Sequence, residues 1–229
     1  MTVHRLAGNP PIDVTVRRSA RARKLSLRVS RLDGRVTLTL PQRSPLREGI
    51  HFLETRELWL RKHLIGLAPE KLVQAGGTVP YRGGEVALVA GAVKRTTLYN
   101  DVLQVPDAQT AGVKAKAFLK LRARDALADA SDRYAASVGR SYTRLSIRDT
   151  RSRWGSCSSD GVLMYSWRLI MAPHAVLDYV AAHEVAHLVE MNHSPAFWAV
   201  VAGICPDYQR HRDWLRHNGD LLHRVRFGD

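Results

Sequence analysis

The chain of 229 residues is 45% hydrophobic and 24% charged, ordinary proportions for a globular protein with one sizeable core or two small ones. No run approaches the roughly 18 apolar residues of a membrane span, and no apolar signal core follows Met1-Thr2-Val3-His4-Arg5, so a cytoplasmic protein with no membrane partner is expected. The formal net charge of +14 is uneven, with 14 Lys/Arg against 5 Asp/Glu in residues 1–68. That excess points to a polyanionic partner, nucleic acid or a nucleotide, at the N-terminal region; the alternative is a solvated basic surface. Cys157 and Cys205 lie outside any C-x-x-C pair, which favours two reduced thiols over a disulfide and argues against a thiolate zinc site.

Residues 1–11 read as an irregular lead-in with Gly8, Asn9, Pro10 and Pro11. Ile12, Val14 and Val16 alternate with polar neighbours and predict a strand. Leu25, Leu27 and Val29, then Val36, Leu38 and Leu40, predict two more, joined by a hairpin at Asp33-Gly34. Arginines in this stretch make the expected sheet basic. Ser44-Pro45 reads as the cap and first residue of one helix running to about Leu67. His51 and His63 on it have no ligand partner nearby. Pro69 to Gly77 reads as a linker. Four short strands follow in residues 78–105, with turns at Gly83-Gly84 and Asn100-Asp101; the Gly pair lacks the rest of a P-loop.

From Gln109 to about Val138 a long helix is expected. Leu119, Ala123, Leu127, Ala130, Tyr134 and Val138 make its apolar stripe, and Gly139 stops it. A short strand at Leu145-Ser146-Ile147 follows. After Arg153-Trp154-Gly155-Ser156-Cys157-Ser158 comes a turn at Ser159-Asp160-Gly161 and a strand over 162–167. A buried helix from about Pro173 to Met191 is predicted next, apolar on nearly every side. The C-terminal helix, Asp207 to about His223, presents His211, His217 and His223 with several arginines and reads as a solvated face.

The buried helix carries His183-Glu184-Val185-Ala186-His187, the pattern H-E-x-x-H. Residues four apart share a helix face, so His183 and His187 can hold one metal ion, with Glu184 placed to take a proton from water on that metal. Two histidines and a glutamate inside an apolar helix need partners, and a metal satisfies all three. Asn192 is expected to end the helix in left-handed geometry, returning His193 to the site, while Ser194 and Pro195 open the next helix. Phe197, Trp198, Val201 and Ile204 are placed to pack that helix on the metal helix. His193 lies at the spacing of the third ligand in H-E-x-x-H-x-x-G-x-x-H enzymes. The glycine position holds Glu190, however, and no methionine follows Met191, which argues against that class. Glu190 is the rival third ligand, or a partner of His187. Three protein ligands with one open position is the pattern of catalytic zinc.

Arg153 to Ser158 supplies the candidate substrate contacts: Arg153 for an anion or carboxylate, with Trp154, Ser156 and Tyr165 beside it. Residues 162–167 are the expected strand for pairing with an extended substrate. The alternative makes Trp154 and Trp167 core residues and pairs Arg153 with Asp149 or Asp160. Cys157 is a poor nucleophile candidate beside a metal.

The stretches Arg153-Trp154-Gly155-Ser156-Cys157, Arg168-Leu169, Ala172-Pro173, His183 to His187 and Asn192-His193-Ser194-Pro195-Ala196-Phe197-Trp198 resemble the YgjP-like metallopeptidase family over about residues 15–222. The resemblance implies a minimal zincin-like core, one Zn2+ held by His183, His187 and His193, and Glu184 as catalytic base. It also suggests kinship with SprT-like and WLM proteases, some of which act on DNA-bound proteins. The expectation is an α+β chain, helices packed on a small sheet, with a basic β-rich N-terminal region with one helix over 1–106 and the metallopeptidase core over 107–229. The expected function is zinc-dependent hydrolysis of a peptide or protein substrate, a metal-bound water activated by Glu184 attacking the carbonyl. The alternatives are hydrolysis of a nucleotide or other phosphoanhydride and a nucleic-acid-associated protease.

Overall fold

The structure, a computed structural model, describes residues 2–65 and 69–228. The chain divides into two compact units, Met1–Pro69 and Glu70–Asp229. The expected division near residue 106 differs from this one. Val79, Val86, Leu88, Leu103 and Val105 bury themselves in the same core as Leu119 and Leu127, so the strands before residue 106 belong with the helix after it.

The first unit holds β1 (Thr2–Leu6), β2 (Ile12–Ser19), β3 (Ser26–Val29), β4 (Val36–Pro41), α1 (Leu46–Thr55) and α2 (Glu57–Ile65). The alternating apolar residues of β2 and β4 point one way and, with Leu53 and Leu60 from the helices, make its core. The Asp33-Gly34 hairpin forms as expected: Val29 faces Val36, and Gly34 supplies the positive φ of +70°. Three expectations change here. The lead-in contains β1, which takes its hydrogen bonds from β2 in antiparallel register. Pro45, not Ser44, flanks α1, with no side-chain cap. The single helix is two, because Thr55 Oγ1 donates to Phe52 O at 2.8 Å and Arg56 leaves helical geometry at φ −106°, ψ 9°. The expected end near Leu67 lies outside the described residues.

The second unit begins with β5 (Lys71–Leu72) inside the stretch read as a linker. It continues through β6 (Thr78–Tyr81), β7 (Gly84–Ala90), β8 (Thr97–Tyr99) and β9 (Val102–Val105). The last four form one sheet in the order β6-β7-β9-β8, and Asn100 and Asp101 both take positive φ at the expected turn. Then comes α3 (Ala111–Ser137), whose Leu119, Ala123, Leu127 and Ala130 are fully buried. A second sheet, order β10-β12-β11, is built from β10 (Arg144–Arg148), β11 (Gly155–Cys157) and β12 (Val162–Ser166). A buried 3-10 turn, Trp167–Met171, leads to α4 (His174–Ala186), α5 (Pro195–Ile204), α6 (Tyr208–His223) and β13 (Val225–Arg226). β13 pairs in parallel with β5 and ties the two ends of the unit together.

Helices packed on small sheets place the chain in the α+β class, with α4 inside the core of the second unit. Arg168 locks the lower side of that core. Its guanidinium, 8% exposed, meets Asp149 at 2.7 and 3.3 Å and donates to the carbonyls of Leu222 and Val225, so the 3-10 turn, the end of β10 and the C-terminal segment share one buried cation. Among the described residues, no helix is long and apolar enough to cross a membrane. Cys157 and Cys205 are both free thiols.

Candidate metal centre

Apolar side chains around α4 decide its place. Val176, Leu177, Val180, Ala181, Ala182, Val185 and Ala186 are all buried, so the helix runs through the core and carries Glu184 into it, while His183 stays half-buried. The helix ends at Ala186 rather than Met191. His187 still holds φ −66°, ψ −16°, so the one-turn spacing that puts it beside His183 survives, with ring centroids 5.2 Å apart. Leu188 N–H and Val189 N–H then reach back three residues, to Val185 and Ala186, and the chain leaves the helix in a tightened turn. Asn192 is not among the residues with positive φ; its carbonyl accepts from Ser194 N–H at 2.7 Å, and this local turn reverses the chain.

His193 comes back onto the site with its Nε2 3.1 Å from His183 Nε2. Ser194 Oγ accepts from Phe197 N–H at 3.3 Å and Pro195 opens α5, as the spacing predicts. That cap delivers Phe197, fully buried, into the middle of the three imidazoles. It stacks on His187 at 4.4 Å and meets His183 and His193 edge-on at 5.0 and 4.8 Å. Trp198 closes the outer side, 5.7 Å from His183 and 5.9 Å from His193. Sequence reading placed Phe197 only as helix packing; its role as a common platform for three rings depends on how α5 turns back.

Among the described residues, His183, His187 and His193 form a group whose ligand atoms all lie within 4.8 Å of one another. Glu190 is not part of it. Its backbone carbonyl lies 3.1 Å from His187 Nδ1, so that ring nitrogen is engaged and Nε2 is left for the site. The buried carbonyl does what the sequence reading had reserved for the carboxylate.

The surroundings keep two of the rings neutral. Burial, then the neighbouring rings of His187 and His193 and the Arg212 guanidinium, push His183 down to about 3. Burial also lowers His187. Neutral imidazoles are the form that binds metal. Tetrahedral bonds of about 2.0–2.1 Å put two nitrogens about 3.4 Å apart, close to the 3.1 Å between His183 and His193. His183 Nδ1 is buried with no hydrogen-bond partner, so the ring is held by packing and by what its Nε2 meets. The donor set therefore fits a single divalent ion.

Glu184 is 6% exposed. Burial raises its carboxyl to about 8, against the pull of the Arg153 guanidinium. It owes its position to Gly155: a Cβ there would lie 2.5 Å from Glu184 Oε1 and 2.6 Å from Cγ. The carboxylate occupies the space a side chain on β11 would fill. The requirement for glycine was hidden in the sequence, because the two residues are 29 positions apart.

The proposed substrate contacts separate. Arg153 is exposed, and Asp149 is occupied by Arg168 rather than by Arg153. Ser156 is half-buried on β11. Trp154 stacks at 4.9 Å on His223 and sits against Gly219, a packing role. Tyr165 is fully buried with its hydroxyl 3.0 Å from Ser131 Oγ, so it is a core residue and not a contact for substrate. β12 is paired on both sides, to β10 and β11, and has no edge to offer; the edge strands are β10 and β11, and β11 is the one beside Glu184. His223, expected on a solvated face, is 6% exposed. Cys157 is pushed up to about 11 by burial and by Glu184, which suits an inert thiol.

No curated protein matches the chain significantly. Among solved structures, the metallopeptidase zymogen of Pyrococcus abyssi abylysin is similar, 21% identical over 42% of this chain and 94% of that chain, with a TM-score of 0.37. That likeness is too loose to bear on fold or function. The family model described as YgjP-like, metallopeptidase domain, matches residues 23–218, which includes the three histidines, Glu184, Gly155 and Phe197. With most of its length matched, the chain belongs to the YgjP-like metallopeptidase family, a family of metal-dependent hydrolases.

Proposed function

We propose that the protein is a zinc-dependent peptidase in which His183, His187 and His193 hold one zinc ion and Glu184 is the general base. One observation carries the reading: three imidazoles converge within 4.8 Å beside a carboxylate that is buried in the same helix. The donor group contains no carboxylate, which suits zinc rather than magnesium and favours carbonyl over phosphoanhydride chemistry. A zinc ion supplies Lewis acidity, polarising a carbonyl and lowering the pKa of water toward about 7.

The chain's own residues then do the following. Glu184 takes the proton of the attacking water on a carboxylate oxygen and returns it to the leaving nitrogen. Burial favours its protonated form and the Arg153 charge its ionised form, which brings it near neutrality as a base has to be. Gly155 keeps that carboxylate in place, and Phe197 and Trp198 hold the rings and exclude water from their outer side. The ladder between β11 and β12 uses Trp154 O with Ser166 N–H and Ser158 N–H with Val162 O. By the alternation of antiparallel pairing, the backbone groups of Gly155 and Cys157 point out from the free edge, where an extended peptide can add a strand.

Glu184→Gln is expected to retain one zinc per chain and to lower casein hydrolysis by about 10²–10⁴-fold, the range for a lost general base. Undiminished hydrolysis by that variant overturns the assignment.

A further inference from the structure

The sheet β10-β12-β11 has two faces. One faces α4: Gly155 meets Glu184, and Leu163 and Tyr165 are fully buried. The other is open. Arg144, Ser146 and Arg148 alternate along β10, Ser146 pairs with Met164, and Met164 pairs with Ser156, so these side chains share that open face. They line a cleft of about 540 Å³ together with Arg153, and no acidic residue is in its lining. All three arginines are exposed, and none pairs with an acidic side chain among the described residues. Arg144 and Arg148 are four residues apart on one strand, about 13 Å. Between them on β10 stands the small Ser146, with Met164 of β12 beside it.

Two features identify the occupant. The cleft lies beside the candidate reaction site, because Ser156 and Cys157 line it and Gly155, the preceding residue of β11, meets Glu184. A strand added along the edge of β11 presents both faces: its successive side chains point alternately to the α4 side and to the open face that carries the arginines, with β10 three strand spacings, about 14 Å, away. The lining also contains no aromatic residue, so it has no platform for stacking nucleic-acid bases, while guanidinium groups bind carboxylates in bidentate pairs. We propose that this open face is a specificity surface for acidic side chains of the polypeptide being cut, with Arg144, Arg148 and Arg153 as its carboxylate-binding groups. The proposal rests on the peptidase reading and names the substrate class for it.

The test is fluorescence anisotropy with two short labelled peptides that differ only in Glu against Gln, added to zinc-loaded Glu184→Gln protein so that nothing is cleaved. The Glu peptide should bind about tenfold more tightly at low salt, with the advantage shrinking as salt rises. Arg144→Glu combined with Arg148→Glu should erase the difference while the circular-dichroism melt stays that of the parent, and Arg144→Lys with Arg148→Lys should keep most of it. Equal binding of both peptides to the folded protein overturns the proposal. So does an oligonucleotide that binds more tightly than the Glu peptide and is lost in the same charge-reversal variant, which would make the face a nucleic-acid surface. Casein hydrolysis by the zinc-loaded wild type separates the two readings. Cleavage with no Glu preference removes the acidic surface alone. A Glu preference in binding without cleavage supports the surface and removes the peptidase reading.

Discussion

In the unit Met1–Pro69, the buried side chains are Leu6, Ile12, Val14, Val16, Val36, Leu38, Leu40, Leu53 and Leu60, with Thr39 the polar exception, and its many cations are surface groups. In the unit Glu70–Asp229, Glu184, His187, Arg168, His223, Ser131 and Ser166 are buried among apolar residues. A buried polar group is costly unless something engages it. The first unit avoids that cost, and the second accepts it and meets part of it, with Asp149 and two carbonyls for Arg168, Tyr165 for Ser131 and Glu190 O for His187, while Ser166 Oγ is buried without a partner. Net charge pointed to the N-terminal region, yet the convergent chemistry lies where the formal charge is small.

Substitutions can break this contrast. The largest effect is expected from Leu38→Ala, which empties a fully buried site in β4 and should cost about 2–5 kcal/mol. Hydrogen exchange should show the loss in β2 and β4 while one zinc per chain is still bound. Zinc lost along with it would mean that the units do not hold their functions separately. Arg168→Ala should cost about 3 kcal/mol, because it strands Asp149 and two carbonyls. Its signature is faster exchange in β13 and α6 with β2 unchanged, and uniform destabilisation of the whole chain would contradict it.

A pH titration sharpens the same point. Burial, then the positive charge of Arg168, depresses His223 from 6.5 to about 4. The stability this represents is fully present above pH 6.5 and is lost as pH falls through 4, on the order of 2–3 kcal/mol. Urea midpoints of wild type and His223→Phe should therefore converge or cross as pH drops through that window. A constant offset between them would show that His223 does not titrate there. The smallest effect is that of Gly155→Ala. A methyl group there displaces Glu184 and should lower kcat about tenfold, with zinc content and KM little changed. An unchanged kcat would detach Glu184 from β11.

Much of the local structure was readable because local chemistry sets it. Asp33-Gly34 forms a hairpin since one residue tolerates the left-handed φ. The stripe from Leu119 to Ala130 is buried since four-residue steps share a helix face. Ser194 caps α5 because its hydroxyl reaches Phe197 N–H. Other elements were not readable. β1, β5 and β13 are strands only because β2, β13 and β5 lie beside them, and Thr2–Leu6 or Lys71–Leu72 contain no pattern that names those partners. The helix break at Arg56, where the backbone N–H reaches back three residues to Leu53 O, has no glycine or proline to announce it.

The sequence by itself determined that His183 and His187 share a helix face, that Glu184 sits between them, and that an apolar helix carries all three into the core, where Glu184 and His187 are buried. Period, polarity and the cost of an unmet buried charge suffice for that. Only the tertiary structure decided what surrounds them: Gly155 yielding its side-chain space to Glu184, Phe197 standing among three rings, Glu190 serving through its carbonyl, Tyr165 withdrawn into the core, and β11 rather than β12 holding the open edge. Each is a contact between residues that the chain brings together by turning back on itself, and neither periodicity nor local propensity carries information about which distant surface will be met.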